Sequence, residues 1–190
     1  PFEAIKIIGL PEELDSELIH QFGKNGFRLF RLPIPKKGKC VGILGPNGIG
    51  KTTAFKILSG QLTPNLGEIE KKTSWDETVE YYASTELHDH FKQIQKGSLL
   101  SVVKPQYVDK LPRVMNGKIK ELLKQSDTSN KLDEVVEQLG IESILDKEIS
   151  EGTISGGELQ LMSIAAALIK DVDLYFFDEP SSYLDIHQRL

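Results

Sequence analysis

Apolar residues come in short bursts along the chain, and the spacing inside each burst predicts the element it forms. Residues 5–9 are few and β-branched, which predicts a strand, while 12–21 read as a helical turn or loop. Over 27–32, Phe27, Leu29 and Phe30 are interleaved with Arg28 and Arg31, the pattern of an edge strand, and Pro33 and Pro35 end it. A turn at 36–39 leads into the apolar run 40–44. That run predicts a buried strand, with the Cys40 thiol inert inside it. Glycines punctuate 45–50, a helix is expected over Lys51–Leu58, and 60–67 is a connector bearing Pro and Gly.

Residues 75–100 differ in character. They are polar, yet Leu87, Phe91 and Ile94 recur at helical spacing, which predicts one or two amphipathic helices. Residues 104–108 read as a strand-edge segment. Helices are expected over 117–123 and Leu132–Leu139, with a polar linker at 125–130. A second glycine loop, 152–157, leads into a helix over 158–169, and Leu174–Phe177 reads as a second buried strand. Strands alternating with helices imply an α/β fold, a mostly parallel sheet flanked by helices with an antiparallel β edge and a helical insert.

Residues 45–52, Gly-Pro-Asn-Gly-Ile-Gly-Lys-Thr, fit the P-loop pattern G-x4-G-K-[ST]. Its glycines let the backbone curl through Asn47, Gly48 and Gly50 so that N–H groups converge on phosphate oxygens. The loop runs into a helix N-terminus, whose dipole favours an anion. Lys51 then reaches the β- and γ-phosphates, Thr52 offers a hydroxyl to Mg²⁺, and Thr53 is placed for the α-phosphate. A chance match occurs in roughly one chain in 150 of this length. The flanking strand and helix sharpen the reading to ATP with Mg²⁺.

Asp178 and Glu179 end the apolar stretch Leu174–Phe177. In open α/β sheets ligands collect at such strand ends. Asp178 suits Mg²⁺, held through a water, and Glu179 suits the polarisation of an attacking water. Phosphoryl transfer needs that pairing, because it is mostly positioning and charge neutralisation.

Composition adds limits rather than leads. A length of 190 residues predicts one domain with at most a small insert. A formal net charge of -5 gives no global basic field for nucleic acid. No apolar run is long enough to span a bilayer, and the first residues do not read as a signal peptide. The single cysteine excludes an internal disulfide and a cysteine-built metal site. A reducing cytoplasm is the expected compartment.

Ile154-Ser-Gly-Gly-Glu-Leu-Gln lies between the two phosphate-directed motifs. It resembles the signature of ABC-type ATPases, Leu-Ser-Gly-Gly-Gln. The resemblance implies that Ser155, Gly156 and Gly157 bind the γ-phosphate of ATP held by an opposing domain. Ile154 in place of Leu keeps the packing. Glu158 in place of Gln puts a carboxylate near that phosphate unless the side chain turns away. Gln106 matches the glutamine loop, which contacts Mg²⁺ and the water, so Lys51, Gln106 and Glu179 make up the expected catalytic set. Residues 182–185, Ser-Tyr-Leu-Asp, match the D-loop, with Asp185 at a domain interface. An aromatic ahead of the phosphate loop stacks on adenine in this family. Phe22 and Phe27 are the candidates, ahead of Phe30.

Four strings narrow the resemblance: Arg-Leu-Pro-Ile-Pro at 31–35, Lys-Pro-Gln-Tyr-Val-Asp at 104–109, Ser-Gly-Gly-Glu-Leu-Gln at 155–160, and the run from Phe177 to the end. Together they resemble the E class of ABC ATPases, the ribosome-recycling factors also called RNase L inhibitor. Membership implies that 75–100 is a helix-loop-helix insert facing a ribosomal subunit, both RNA and protein, with His88, His90, Lys92 and Lys96 as contacts. It also implies a second ABC ATPase domain in the same full-length chain, translation release factors as partners, and no membrane. On this reading 1–190 is the first nucleotide-binding domain, truncated at its C-terminus. The initiator Met is absent, and His187 lies too close to Glu179 to be the switch histidine. A translation factor of the F class or a transporter subunit is the alternative. The isolated chain is expected to bind nucleotide without turning it over; robust turnover in a phosphate-release assay would contradict this.

Overall fold

The computed structural model describes residues 18–150, 152–186 and 188. The strand expected over 5–9, the stretch 12–17 and His187 lie outside the described residues. The chain divides into two compact units, Pro1–Gln95 and Lys96–Leu190.

In the first unit, β1 (His20–Gln21) pairs antiparallel with β2 (Arg28–Leu29), His20 opposite Leu29 and Gln21 opposite Arg28. β2 is the core of the edge strand expected over 27–32. β1 replaces the turn or loop expected there, because the ladder continues on both sides of it: Ile19 N–H donates to the Leu29 carbonyl at 2.8 Å and Phe22 N–H to the Phe27 carbonyl at 3.1 Å. Asn65 fastens the strand by accepting from Gln21 N–H at 2.9 Å and donating to its carbonyl at 2.8 Å.

The run 40–44 corrects the sequence expectation. It is not a strand, Cys40 is exposed, and Leu44 is 96% exposed. A buried strand needs neighbours to take its backbone bonds and cover its side chains. Among the described residues of this unit the only strands are the two-residue pair β1–β2.

Helix α1 spans Lys51–Leu58, as its apolar spacing predicts, and buries Ala54, Ile57 and Leu58. It closes at Gly60, where φ is 77° and an added Cβ would stand 3.0 Å from Ile94 Cγ2. Helix α2 (Trp75–Tyr81) opens on a reciprocal cap between Ser74 and Glu77, and α3 (His88–Gln95) follows. These are the two amphipathic helices expected over 75–100. Phe91 is fully buried between them, with the Tyr82 ring 4.7 Å away and the Trp75 ring at 6.1 Å. His90 Nε2 lies 2.8 Å from the Leu58 carbonyl, and burial pushes its pKa down. It therefore ties α3 to α1, while Lys92 lies exposed.

In the second unit, β3 (Ser101–Lys104) runs parallel to β4 (Leu174–Phe177), with Lys104 opposite Phe177. β3 ends where the sequence expects a strand-edge segment to begin, because β-branched Val102 and Val103 carry it earlier. Only Phe176 of β4 is buried; Tyr175 is exposed, its hydroxyl donating to the Lys170 carbonyl at 2.6 Å. The fully buried strand expected there is thus covered on one face.

Helix α4 (Leu111–Val114) and a 3-10 turn at Glu142–Ile144 are additions to the expected elements. Helix α5 covers Ile119–Ser126 and α6 covers Leu132–Leu139. Asp127 separates them by accepting from the N–H groups of Ser129, Lys131 and Leu132. Helix α7 (Gly156–Leu168) is apolar on most sides and so sits inside the unit, Met162 and Ala165 packing with Ile119, Val136 and Ile141.

Replacing Phe91 with Ala removes a fully buried ring, so urea unfolding should report a loss of about 3–5 kcal/mol from the first unit.

Candidate nucleotide-binding site

The glycine turn of the first unit is built by backbone angles few other residues accept. Gly48 and Gly50 have φ of 83° and 96°, and Gly50 is the left-handed residue from which α1 starts. An added Cβ on Gly50 would lie 2.4 Å from Phe27 Cζ, so the ring of Phe27 rests on the loop. Phe22 is half exposed and stands edge-on to His20 at 4.6 Å. Of the two aromatic candidates, Phe27 is the one against a phosphate-loop residue; Phe30 is half-buried.

Asn47 is exposed at the crest of the turn. Lys51 folds back across it and donates from Nζ to the Gly45 carbonyl at 2.7 Å and the Pro46 carbonyl at 3.0 Å. Thr52 and Thr53 lie in the first turn of α1, Thr52 exposed and Thr53 half-buried. The first N–H groups of any helix lack intrahelical acceptors, and here they sit beside an ammonium group and two hydroxyls. These residues fit a polyphosphate, and the Thr52 hydroxyl fits Mg²⁺, which takes few protein ligands and keeps its waters.

In the second unit the parallel pair carries the carboxylates. Asp178 N–H donates to the Lys104 carbonyl at 3.3 Å, one step beyond β4, and Asp178 is 5% exposed. Glu179 turns the chain with φ of 47°. Its Oε2 accepts from the Ser182 hydroxyl at 3.1 Å. Gln160, reaching from α7, donates to the carbonyls of Glu179 at 3.0 Å and Pro180 at 2.8 Å. Gln106 is half-buried two residues past the end of β3. Parallel pairing therefore brings Gln106, Asp178 and Glu179 to the same C-terminal edge.

Lys104 is a residue the sequence reading passes over. It is 1% exposed, and its Nζ donates to the Asp178 carbonyl at 3.2 Å. Burial pushes its pKa down, and the charges of Asp178 and Glu179 oppose that shift. Its signal is positional: a lysine ending a strand, two residues ahead of Gln106.

The second glycine loop is closed by a reciprocal cap. The Ser155 hydroxyl accepts from Glu158 N–H at 3.2 Å, and Glu158 Oε2 accepts from Ser155 N–H at 2.8 Å. The other oxygen, Oε1, takes the Lys147 ammonium at 2.6 Å. The Lys147 ammonium first, and the Ser155 backbone second, hold the Glu158 carboxyl below its usual range. The carboxylate has turned back over the cap. Gly156 and Gly157 lie under the D-loop: added Cβ atoms would meet Tyr183 Cδ1 at 3.1 Å and the Tyr183 carbonyl at 3.1 Å. Exposed Asp185 closes a small turn with Gln188, each backbone N–H bonded to the other side chain. Lys147, Gln160 and the seat of Tyr183 on the glycines are contacts across the fold that no local string announces.

Among the described residues no three His, Cys, Asp or Glu side chains gather as a metal site, and no helix is long and apolar enough to cross a membrane.

A family model described as ABC transporter matches residues 34–182. An uncharacterized ABC transporter ATP-binding protein of Methanocaldococcus jannaschii is 51% identical over 190 residues, covering 100% of this chain and 31% of the relative. Among solved structures, the archaeal ribosome recycling factor aABCE1, in complex with ribosomal stalk protein aP1, superposes with a TM-score of 0.86 at 50% identity; the match covers 94% of this chain and 34% of that one. A model of ribosome-bound archaeal Pelota and ABCE1 gives a TM-score of 0.87 at 53% identity, covering 100% of this chain and 31% of that one. The chain spans about a third of the length of the curated relatives it matches.

Gly50→Ala forces a Cβ into Phe27 at a left-handed φ. Titration with a fluorescent ATP analogue should show affinity falling about tenfold or more, the equivalent of the 1–3 kcal/mol such strain costs.

Proposed function

The chain belongs to the ABC transporter family and carries its ATPase fold, and from that premise we propose that it is the ATP-binding and ATP-hydrolysing part of a protein that splits and recycles ribosomes. The observation that carries the nucleotide part of the reading is the glycine turn at the head of α1, with Lys51 lying across it; the ribosomal part is supported by the recycling-factor relatives. That arrangement converges backbone N–H groups, a cation and two hydroxyls on one place, as a polyphosphate requires.

The residues take separate roles. Asn47, Gly48 and Gly50 shape the turn, Lys51 binds the β- and γ-phosphates, and Thr53 takes the α-phosphate. Phe27 rather than Phe22 offers its ring to adenine, because it rests on the loop. Glu179 orients and polarises the attacking water, and its fixed backbone aims it for that task. Gln106 contacts the same water from the neighbouring strand end. Thr52 of the first unit offers a hydroxyl, and Gln106 and Asp178 of the second an amide and a carboxylate, of the kinds that hold Mg²⁺, which would neutralise phosphate charge when bound. Ser155, Gly156 and Gly157 face a different nucleotide, the one held by a second ATPase domain of the full-length chain. A phosphate loop and a signature loop that serve two different nucleotides make closure of the domains depend on ATP.

Residues 1–190 then represent the first nucleotide-binding domain, and 75–100 is an insert within it. The packing of α2 against α3 around Phe91, anchored to α1 through His90, supports an insert. Its exposed Lys92 supports a contact with a ribosomal subunit, and the ribosome-bound ABCE1 relative supports that class of partner. Release factors and a cytoplasmic setting follow from the same reading. An isolated chain holds half of each composite site, so it binds nucleotide without turnover.

In the full-length protein, Glu179→Gln should keep ATP binding and lower turnover by about 10²-fold or more, because the water loses its base. Radiolabelled ATP retained on the closed protein would show this; normal turnover would refute the role.

A further inference from the structure

A carboxylate one turn into a phosphate-binding helix is an electrostatic liability. Glu158 occupies that place at N3 of α7. The phosphate proposed for this loop would meet its field within about one helical turn, 5.4 Å. Capping alone does not require the charge, since Gln serves a reciprocal cap as well as Glu does.

Lys147 answers the charge. Its Nζ lies 2.6 Å from Glu158 Oε1, while Oε2 is held by Ser155 N–H at 2.8 Å. Both oxygens are thus engaged on the protein side. Lys147 is itself fixed by its backbone: its N–H donates to the Ile144 carbonyl and its carbonyl accepts from Ile119 N–H, each at 3.0 Å. Ile149 N–H adds a bond to the Gly117 carbonyl at 3.0 Å, so the segment is stitched to the start of α5. The ammonium is thus carried on a strap whose backbone is bonded to its own turn and to the start of α5.

We propose that Lys147 is a positioning residue for the signature loop: its ammonium cancels the Glu158 charge and holds that carboxylate over the cap, which lets Ser155–Gly157 accept a phosphate. This deepens the reading of 155–157 as a phosphate-binding turn and rests on it. The pair is partly exposed, 42% for Lys147 and 23% for Glu158, so its contribution to folding is small. Its effect falls instead on the anionic partner proposed for the loop, which a change of one charge nearby attracts or repels.

The test uses ATP turnover of the full-length protein. Lys147→Met should lower it about tenfold in the Glu158 background, with little change in Tm. In the Glu158→Gln background the same Lys147→Met change should have no effect, because no charge remains to cancel. An equal loss in both backgrounds, or no loss in the first, would overturn the proposal. Ser155→Arg separates the two levels. If it leaves turnover intact, the reading of the loop itself fails. If it abolishes turnover while Lys147→Met does not reduce it, only the role of Lys147 fails.

Discussion

The parallel pairing of β3 with β4 is the constraint on which the chemistry of the second unit depends. It sets Lys104 opposite Phe177, and the next residues along both strands emerge at the same edge. From β4 emerge Asp178 and Glu179; from β3 emerges Gln106. A slip of one residue would turn every side chain to the other face. Lys104 strengthens the register, since its buried ammonium is bonded to the Asp178 carbonyl and has no other register in which to find it. The two carboxylates beside it offset part of the cost of burying that charge, and burial still prevails.

The same edge is tied to α7. Gln160 reaches from the helix to the carbonyls of Glu179 and Pro180, and Tyr183 lies on Gly156 and Gly157. The glycines of the signature loop therefore have two uses. In the proposed function they shape a phosphate-binding turn, and they admit the D-loop to a distance at which an added Cβ would press on Tyr183. In the proposed mechanism, the residue that activates water for one nucleotide and the loop that grips another share one packed body.

What could be read from sequence was what is contiguous. The glycine turn ahead of α1, the limits of α1 and α6, and the strand that ends at Asp178 each depend on near neighbours in the chain, and their patterns were legible. The run 40–44 was misleading because its apolar content speaks only to what it would bury, and strand formation depends on a neighbour that the string does not name. Glu158 shows the same limit from the other side. Its departure from the usual Gln was visible, but where its carboxylate points depends on Lys147, eleven residues earlier and brought close by the strap at 144–149. Lys104 escaped notice because a lysine at a strand end ordinarily reads as solvated, and here it is buried.

The central claim is that 45–52 and 155–157 of one chain serve different nucleotides. A crystal structure of the full-length protein with Mg²⁺ and a non-hydrolysable ATP analogue tests it most directly. Lys51 should lie on the β- and γ-phosphates of one nucleotide, and Ser155 within hydrogen-bond distance of the γ-phosphate of a second, held by the other ATPase domain. Contact of both loops with the same nucleotide, or a signature loop facing no phosphate in the closed protein, would contradict it.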